Sequence, residues 1–353
     1  MVAEESGVAV SRASLVLLSR SYRFGGQPHE LFEIAEKTNE ARVIVEKFMT
    51  GLKTVGDMLF RDEPPSAKLV SACRTCAFFD DDCLGAGIKN TVLELPNLHH
   101  TKFKRLSTES IVDLSKIPDD LNLNPKQVRA KESALSGKIF TDPGLTPALG
   151  TIGWPCFYLD FETVASVLPL YAGHNCHQQV LTQFSVHSRD GIGGELGHKD
   201  YLADAGKDCQ RELAEFLIST LGNKGSVVVY SAFEKTRLKA LQNQFPDLAT
   251  PLEAILDRLV DLLSIVTNYV YHPKFKGSFS IKRVLPALVP ELSYKELAIG
   301  DGDTAITKFA RMARKEISGK DVDTVRSQLL EYCKLDTLAM VRLHDSLHEM
   351  GQA

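Results

Sequence analysis

The stretch Trp154 to Thr163, WPCFYLDFET, reads as one buried strand that carries two carboxylates a single residue apart. Strand side chains alternate between faces, which sends Phe157, Leu159 and Phe161 one way and Tyr158, Asp160 and Glu162 the other. Two acids then share a face. In a low-dielectric setting each opposes the ionisation of the other unless a positive charge stands between them. A divalent cation is the simplest such charge, and oxygen ligands suit hard ions such as Mg²⁺ or Mn²⁺. The plainer reading of Asp-x-Glu is a strand whose polar face meets solvent, so the choice falls to the rest of the chain.

At 353 residues the chain exceeds one average domain, which suggests two units or one large domain with an appended module. Hydrophobic residues make up 44% and charged residues 24%, ordinary values for a soluble globular protein. No run of about 18 uninterrupted apolar residues is present, so no membrane span is expected. The N-terminus, MVAEESGVAV, lacks a basic flank followed by a sustained apolar run, which makes a cytoplasmic location with reduced thiols the expectation. A net charge of -4 gives no support for a generally basic nucleic-acid coat but leaves room for a local positive groove. His99, His100, Lys102, Lys104 and Arg105 form one local basic run, read first as a solvated face.

Residues up to about 70 offer a short apolar segment, Ala13 to Leu18, and a helix-like stretch from His29 to about Leu59. Val43, Phe48, Met49, Leu52 and Val55 give that stretch an amphipathic pattern suited to packing on a partner surface. Pro64 and Pro65 punctuate the chain before CRTCAFFDDDC, which holds Cys73, Cys76 and Cys83. In a reducing compartment such clustering favours a metal over a disulfide, and zinc and iron–sulfur sites usually take four protein ligands. Only three are local. The segment is therefore part of a zinc or [4Fe-4S] site with a distant fourth ligand, or three unligated thiols. From Leu106 to Pro155 short helical patterns alternate with Pro and Gly, with Asn124 or Pro125 opening one helix of a small connector.

After the paired acids, Gln178 to His187 and Glu195 to Leu202 read as a hairpin around a glycine-rich turn. Asp208 to Leu221 follows as a helix, and the apolar run Ser226 to Tyr230 suits a central strand covered on both faces. This order of elements predicts a mixed α/β layer fold. Glu234 falls in the first turn of the next helix, where the helix dipole stabilises a carboxylate with or without a metal. GSFSIKRVLP, Gly277 to Pro286, reads as a loop entering a helix capped by Ser278 or Ser280. Lys282 and Arg283 in that first turn are placed either to reach a phosphate or to stand as solvated cations. On the last helical pattern, Asp321 to about Glu349, Tyr332 and Asp336 are four apart and share a face.

Asp160-x-Glu162 on a first strand, an acid in the helix after the fourth strand and Tyr332-x-x-x-Asp336 on a late helix resemble the three motifs of the DEDD, DnaQ-like 3′–5′ exonucleases, of the tyrosine-containing type, in the same order. YLDFET, FSVH, VVVYSAFEKTRL, GSFSIKRVLPAL, LSYKELAIGDGDTA and LLEYCKLDT further resemble a bacterial branch with an RNase H-like exonuclease domain, covering about 150–350. The resemblance implies an RNase H-like mixed sheet flanked by helices. It also implies two Mg²⁺ or Mn²⁺ ions on Asp160, Glu162, Glu234 and Asp336, with Tyr332 orienting the attacking water. Position 234 is Glu where most of the superfamily carries Asp, a longer side chain that changes metal spacing or substrate approach.

The N-terminal helical stretch and its CxxC-x6-C pattern resemble the tail of a RecB-like nuclease module, in which three late cysteines join an earlier one around a [4Fe-4S] cluster. The resemblance places that module's catalytic strands and early cysteine ahead of Met1. Its acid–lysine constellation is not found here. The expected organisation is a smaller, mainly helical, cysteine-containing remnant at 1–105, a helical connector at 106–150 and an RNase H-like domain at 151–350. The expected activity is metal-dependent hydrolysis of phosphodiester bonds in DNA or RNA, since both present the phosphates that metals engage and no base-reading motif is visible. The alternative is a catalytically weak or inactive RNase H-like platform that binds nucleic acid or assembles a complex, suggested by Glu234 and the truncated front.

Overall fold

In the computed structural model, which describes residues 1–63, 66–292 and 297–352, WPCFYLDFET forms most of the strand β1 (Cys156–Ala165). Leu159 and Phe161 pack into one apolar cluster with Phe184, Leu213, Val227 and Leu238. Cys156 and Tyr158 pack into another with Val228, Leu262, Val266 and Met340. The predicted alternation therefore holds, and the two faces of one strand meet two separate cores.

β2 (Gln179–Arg189) and β3 (Gly197–Leu202) form the antiparallel hairpin, with Ser185 opposite Asp200. Helix α1 (Gln210–Leu221) leads to β4 (Ser226–Val229), all four residues of which are buried, as a continuous apolar run requires of a central strand. β4 runs parallel to β1, with Cys156 opposite Ser226. Helices α2 (Phe233–Gln244) and α3 (Ala249–Leu256) then bring the chain to β5 (Leu259–Asp261), parallel to β4. The result is a five-stranded mixed sheet in the order β3-β2-β1-β4-β5. Four further helices follow: α4 (Leu262–Tyr269), α5 (Ile281–Leu288), α6 (Gly302–Ala313) and the long α7 (Lys320–Gln352). Neither the strand β5 nor the helix α4 is predicted from the sequence.

One glycine lets β4 lie beside β1. Gly225 has φ +75°, and a Cβ built there falls 1.7 Å from the carbonyl oxygen of Pro155. The neighbouring backbone is tied across the same seam, with the Ser226 amide donating to Gly153 O at 3.0 Å and the Gly153 amide donating to Ser226 Oγ at 2.8 Å. Gly225→Ala is expected to destabilise the fold by about 3 kcal/mol or more, combining a left-handed backbone with a backbone clash. Thermal unfolding followed by circular dichroism should show the midpoint fall by about 6–12 °C.

The chain divides into two compact units: residues 68–164 with 179–353, described above, and residues 1–67 with 165–178. The boundary thus falls ahead of the cysteines and not at 105. Leu69, Phe79 and Leu95 of the cysteine segment share one buried cluster with Leu106, Leu114 and Leu121 of the expected connector. The helix predicted there is present, with Asn124 as N-cap and Pro125 in its first turn.

In the smaller unit, Ser14–Leu18 pairs antiparallel with Phe32–Glu36, and the helix Thr38–Leu59 follows. The helix thus begins nine positions later than the sequence pattern suggests, because Phe32 to Glu36 is extended. The apolar residues that give the helix its amphipathic pattern are largely exposed, Phe48 at 53% and Leu52 at 49% among them. Pro64, Pro65 and residues 293–296 of LSYKELAIGDGDTA lie outside the described residues. No helix among the described residues is long and apolar enough to cross a membrane.

Candidate metal centre

Asp160 and Glu162 project from the same face of β1, each half-buried. Asp336 comes from α7, and each of the three offers a carboxylate oxygen such that the three atoms lie within 4.8 Å of one another. The register of α7 against the sheet is what delivers Asp336. Gln183 Nε2 donates to Leu329 O at 2.9 Å, and Thr337 Oγ1 is hydrogen-bonded to Ser185 Oγ at 2.9 Å and to His187 Nδ1 at 2.7 Å. These contacts are buried, so sliding the helix by one residue would strand polar groups away from water. Tyr332, one turn before Asp336, is 6% exposed.

Glu234 arrives by a different route. The turn between β4 and α2 passes through Ser231, at φ +145°, a conformation rare outside glycine, and Glu234 follows in the first turn of α2. The side chain is 4% exposed, and its Oε2 is buried with no hydrogen-bond partner. This is not the solvated first-turn charge that the sequence allows. Glu234 stands outside the set within 4.8 Å, yet its charge raises the pKa of both Asp160 and Glu162.

The electrostatics of the cluster follow from burial and crowding. Burial, then the charges of Asp336, Glu162 and Glu234, push Asp160 well above the usual carboxylate range. Glu162 rises to about 8 through burial and the charges of Asp336 and Glu234, partly opposed by Lys282. Glu234 rises to about 7, mainly by burial and then by Asp261, against hydrogen bonds from its own backbone amide and Ser231. Burial first, and the acids' charges second, push the Tyr332 phenol upward, so it is neutral at physiological pH. Acids crowded in this way form, once ionised, a set of hard oxygen donors that a divalent cation fits.

Two neighbours escaped the sequence reading. Cys333 is fully buried and its thiol reaches Asp160 Oδ2 at 3.5 Å. Asp261 ends β5, accepts from the Leu263 amide at 2.9 Å and raises the pKa of Glu234. Lys282 and Arg283, which the sequence offers as phosphate contacts or as solvated cations, act in different places: the charge of Lys282 is felt by Glu162, while Arg283 lines a separate cavity with Cys73 and Cys76. Among the described residues the sulfurs of Cys73, Cys76 and Cys83 do not converge as the three acids do.

A family model described as a domain of unknown function (DUF2779) matches residues 157–280, a span that takes in Asp160, Glu162 and Glu234 and stops short of Tyr332 and Asp336. "Uncharacterized protein UU173" of Ureaplasma parvum serovar 3 (strain ATCC 700970) is 26% identical over 206 residues, covering 52% of this chain and 30% of that protein. The chain thus matches less than a third of the relative's length. No solved structure matches it at a significant level.

Proposed function

We propose that the chain is a metal-dependent nuclease, a 3′–5′ exonuclease of the DEDD kind, acting on DNA or RNA. The observation that carries this reading is the convergence of Asp160, Glu162 and Asp336, with Tyr332 a turn away. The sheet order supports it: an antiparallel hairpin on one side of β1 and two parallel strands on the other is the arrangement an RNase H-like fold calls for. Asp160, Glu162 and Asp336 would hold Mg²⁺ or Mn²⁺, with Glu234 beside them. When bound, a pair of such ions supplies charge stabilisation to the attacking and leaving oxygens of an in-line displacement. Tyr332, as a neutral phenol, orients a water by hydrogen bonding and does not take its proton.

A time course on 5′-labelled and 3′-labelled oligonucleotides of DNA and RNA tests the reading. Stepwise shortening from the 3′ end with Mn²⁺, abolished by EDTA, is expected. Tyr332→Phe should lower the turnover number by about 10- to 100-fold, the effect of a misplaced nucleophile, with little change in oligonucleotide affinity. One observation favours the alternative of a weakly active or inactive binding platform, namely the place of Glu234 outside the set within 4.8 Å. Oligonucleotide binding without any shortening by folded protein supplied with Mn²⁺ would decide for that platform.

A further inference from the structure

The cavity that takes up the unexplained cysteine segment has a volume of about 600 Å³. Its charged lining comprises Arg74, Lys89, Lys276 and Arg283 against Asp80 and Glu94, an excess of cations within a chain whose net charge is -4. Two of the cations are placed by fixed partners. Arg74 donates to Leu93 O at 2.7 Å and to Leu95 O at 3.3 Å, which holds its guanidinium against the wall. Lys276 donates to Glu94 Oε1 at 2.8 Å. The other oxygen of Glu94 is buried with no hydrogen-bond partner, in a residue only 8% exposed. A phosphate supplies no donor to that oxygen, so what the lining offers an anion is its excess of cations.

The two walls of the cavity are pressed together. Lys276 and Gly277 both have positive φ, and a Cβ on Gly277 would lie 2.5 Å from Glu94 O. The cysteine segment and the loop entering α5 therefore meet in a built seam with no room for a side chain. The first turn of α5 then serves two places at once, since Arg283 lines the cavity while the charge of its neighbour Lys282 acts on Glu162.

We propose that this cavity is a phosphate subsite for a polynucleotide, holding one part of a strand whose cleaved bond lies at Asp160, Glu162 and Asp336. The proposal rests on the nuclease reading. Cationic side chains positioned by hydrogen bonds are the usual means of fixing a nucleic-acid backbone in register without reading its sequence. The cysteine segment thereby acquires a role as one wall of the substrate path.

The test uses the full chain carrying Asp160→Asn, to stop cleavage, with fluorescein-labelled 12-mers of single-stranded DNA and of RNA in Mn²⁺. Anisotropy is read across a salt series. Adding Lys89→Ala and Arg283→Ala together should weaken binding by about tenfold at low salt and reduce the slope of log affinity against log salt by about 1.4, close to 0.7 for each phosphate that goes unneutralised. Arg283→Lys should restore its share of the slope, a response to charge that a merely structural role would not give. Lys224→Ala, just ahead of β4 and at the end away from Glu234, should change neither quantity. The DNA and RNA arms distinguish the two sources of phosphate. Unchanged affinity and slope in the double variant, with the parent binding well and the wild type cleaving, would overturn the subsite and leave the nuclease reading standing. A weakening equalled by Lys224→Ala would also overturn it, as general electrostatics. Absence of both binding by the parent and cleavage by the wild type would overturn the subsite together with the reading beneath it.

Discussion

Asp160→Asn should abolish metal-dependent cleavage, with a fall on the order of a thousandfold or more, and at the same time raise the melting temperature of the metal-free protein. Both effects have one cause. Asp160 stands half-buried near Asp336, Glu162 and Glu234, and each of their charges opposes its ionisation. A neutral amide of the same shape removes the repulsion and with it a donor that the cation needs. Opposed changes of this kind mark sites kept for chemistry at the expense of stability. Single-turnover cleavage and thermal melts in EDTA, on the same preparation, check the pair of outcomes. A variant that retains activity, or melts below the wild type in EDTA, would contradict this account.

A second large effect is expected from the ion itself. In EDTA, stability should fall as pH rises from about 4.5 to about 8. Glu162 and Glu234 have folded pKa values raised from 4.5 to about 8 and about 7, so over that window the folded state holds more protons than the unfolded state. Their contribution is fully present below 4.5 and is lost as pH passes through the folded values. Mg²⁺ or Mn²⁺ at a hundred times its dissociation constant adds about 2.7 kcal/mol, or roughly 5–10 °C in melting temperature. The gain should be greatest near pH 8, where the acids are ready to bind, and small at pH 5, where protons compete. Calorimetric scans at both pH values, with and without Mn²⁺, measure it. A cation effect that is equal at pH 5 and pH 8 would place binding elsewhere.

The parts of the site that lie on regular elements were legible in the sequence. The period of two in β1 predicts that Asp160 and Glu162 share a face, and the spacing of four places Tyr332 above Asp336 on one helix. What joins those elements was not legible. The register of α7 depends on Gln183, Ser185 and His187, polar residues of β2 that read only as part of an alternating strand. β5 is three residues long, too short for any periodic signal, and so neither the strand nor the place of Asp261 beside Glu234 was legible. Phe32 to Glu36 failed for the opposite reason: its acids and alanine continue without a break into a helix, which masked an extended segment. Glu234 shows most clearly how context decides, since a first-turn acid is either solvated or buried, and only the packing of α2 on the sheet chooses.

The order in which the acids enter the chain has a consequence for its synthesis. Asp160 and Glu162 are made early, Glu234 later and Asp336 last, on the helix Lys320–Gln352. A ribosome adding about 5–20 residues per second takes roughly 10–35 s to travel from β1 to that helix. Throughout the interval the paired acids of β1 lack Asp336, and Tyr332 does not yet exist. The three converging acids therefore cannot meet until Lys320–Gln352 has been made and docked, so a cation site of this composition closes late in synthesis.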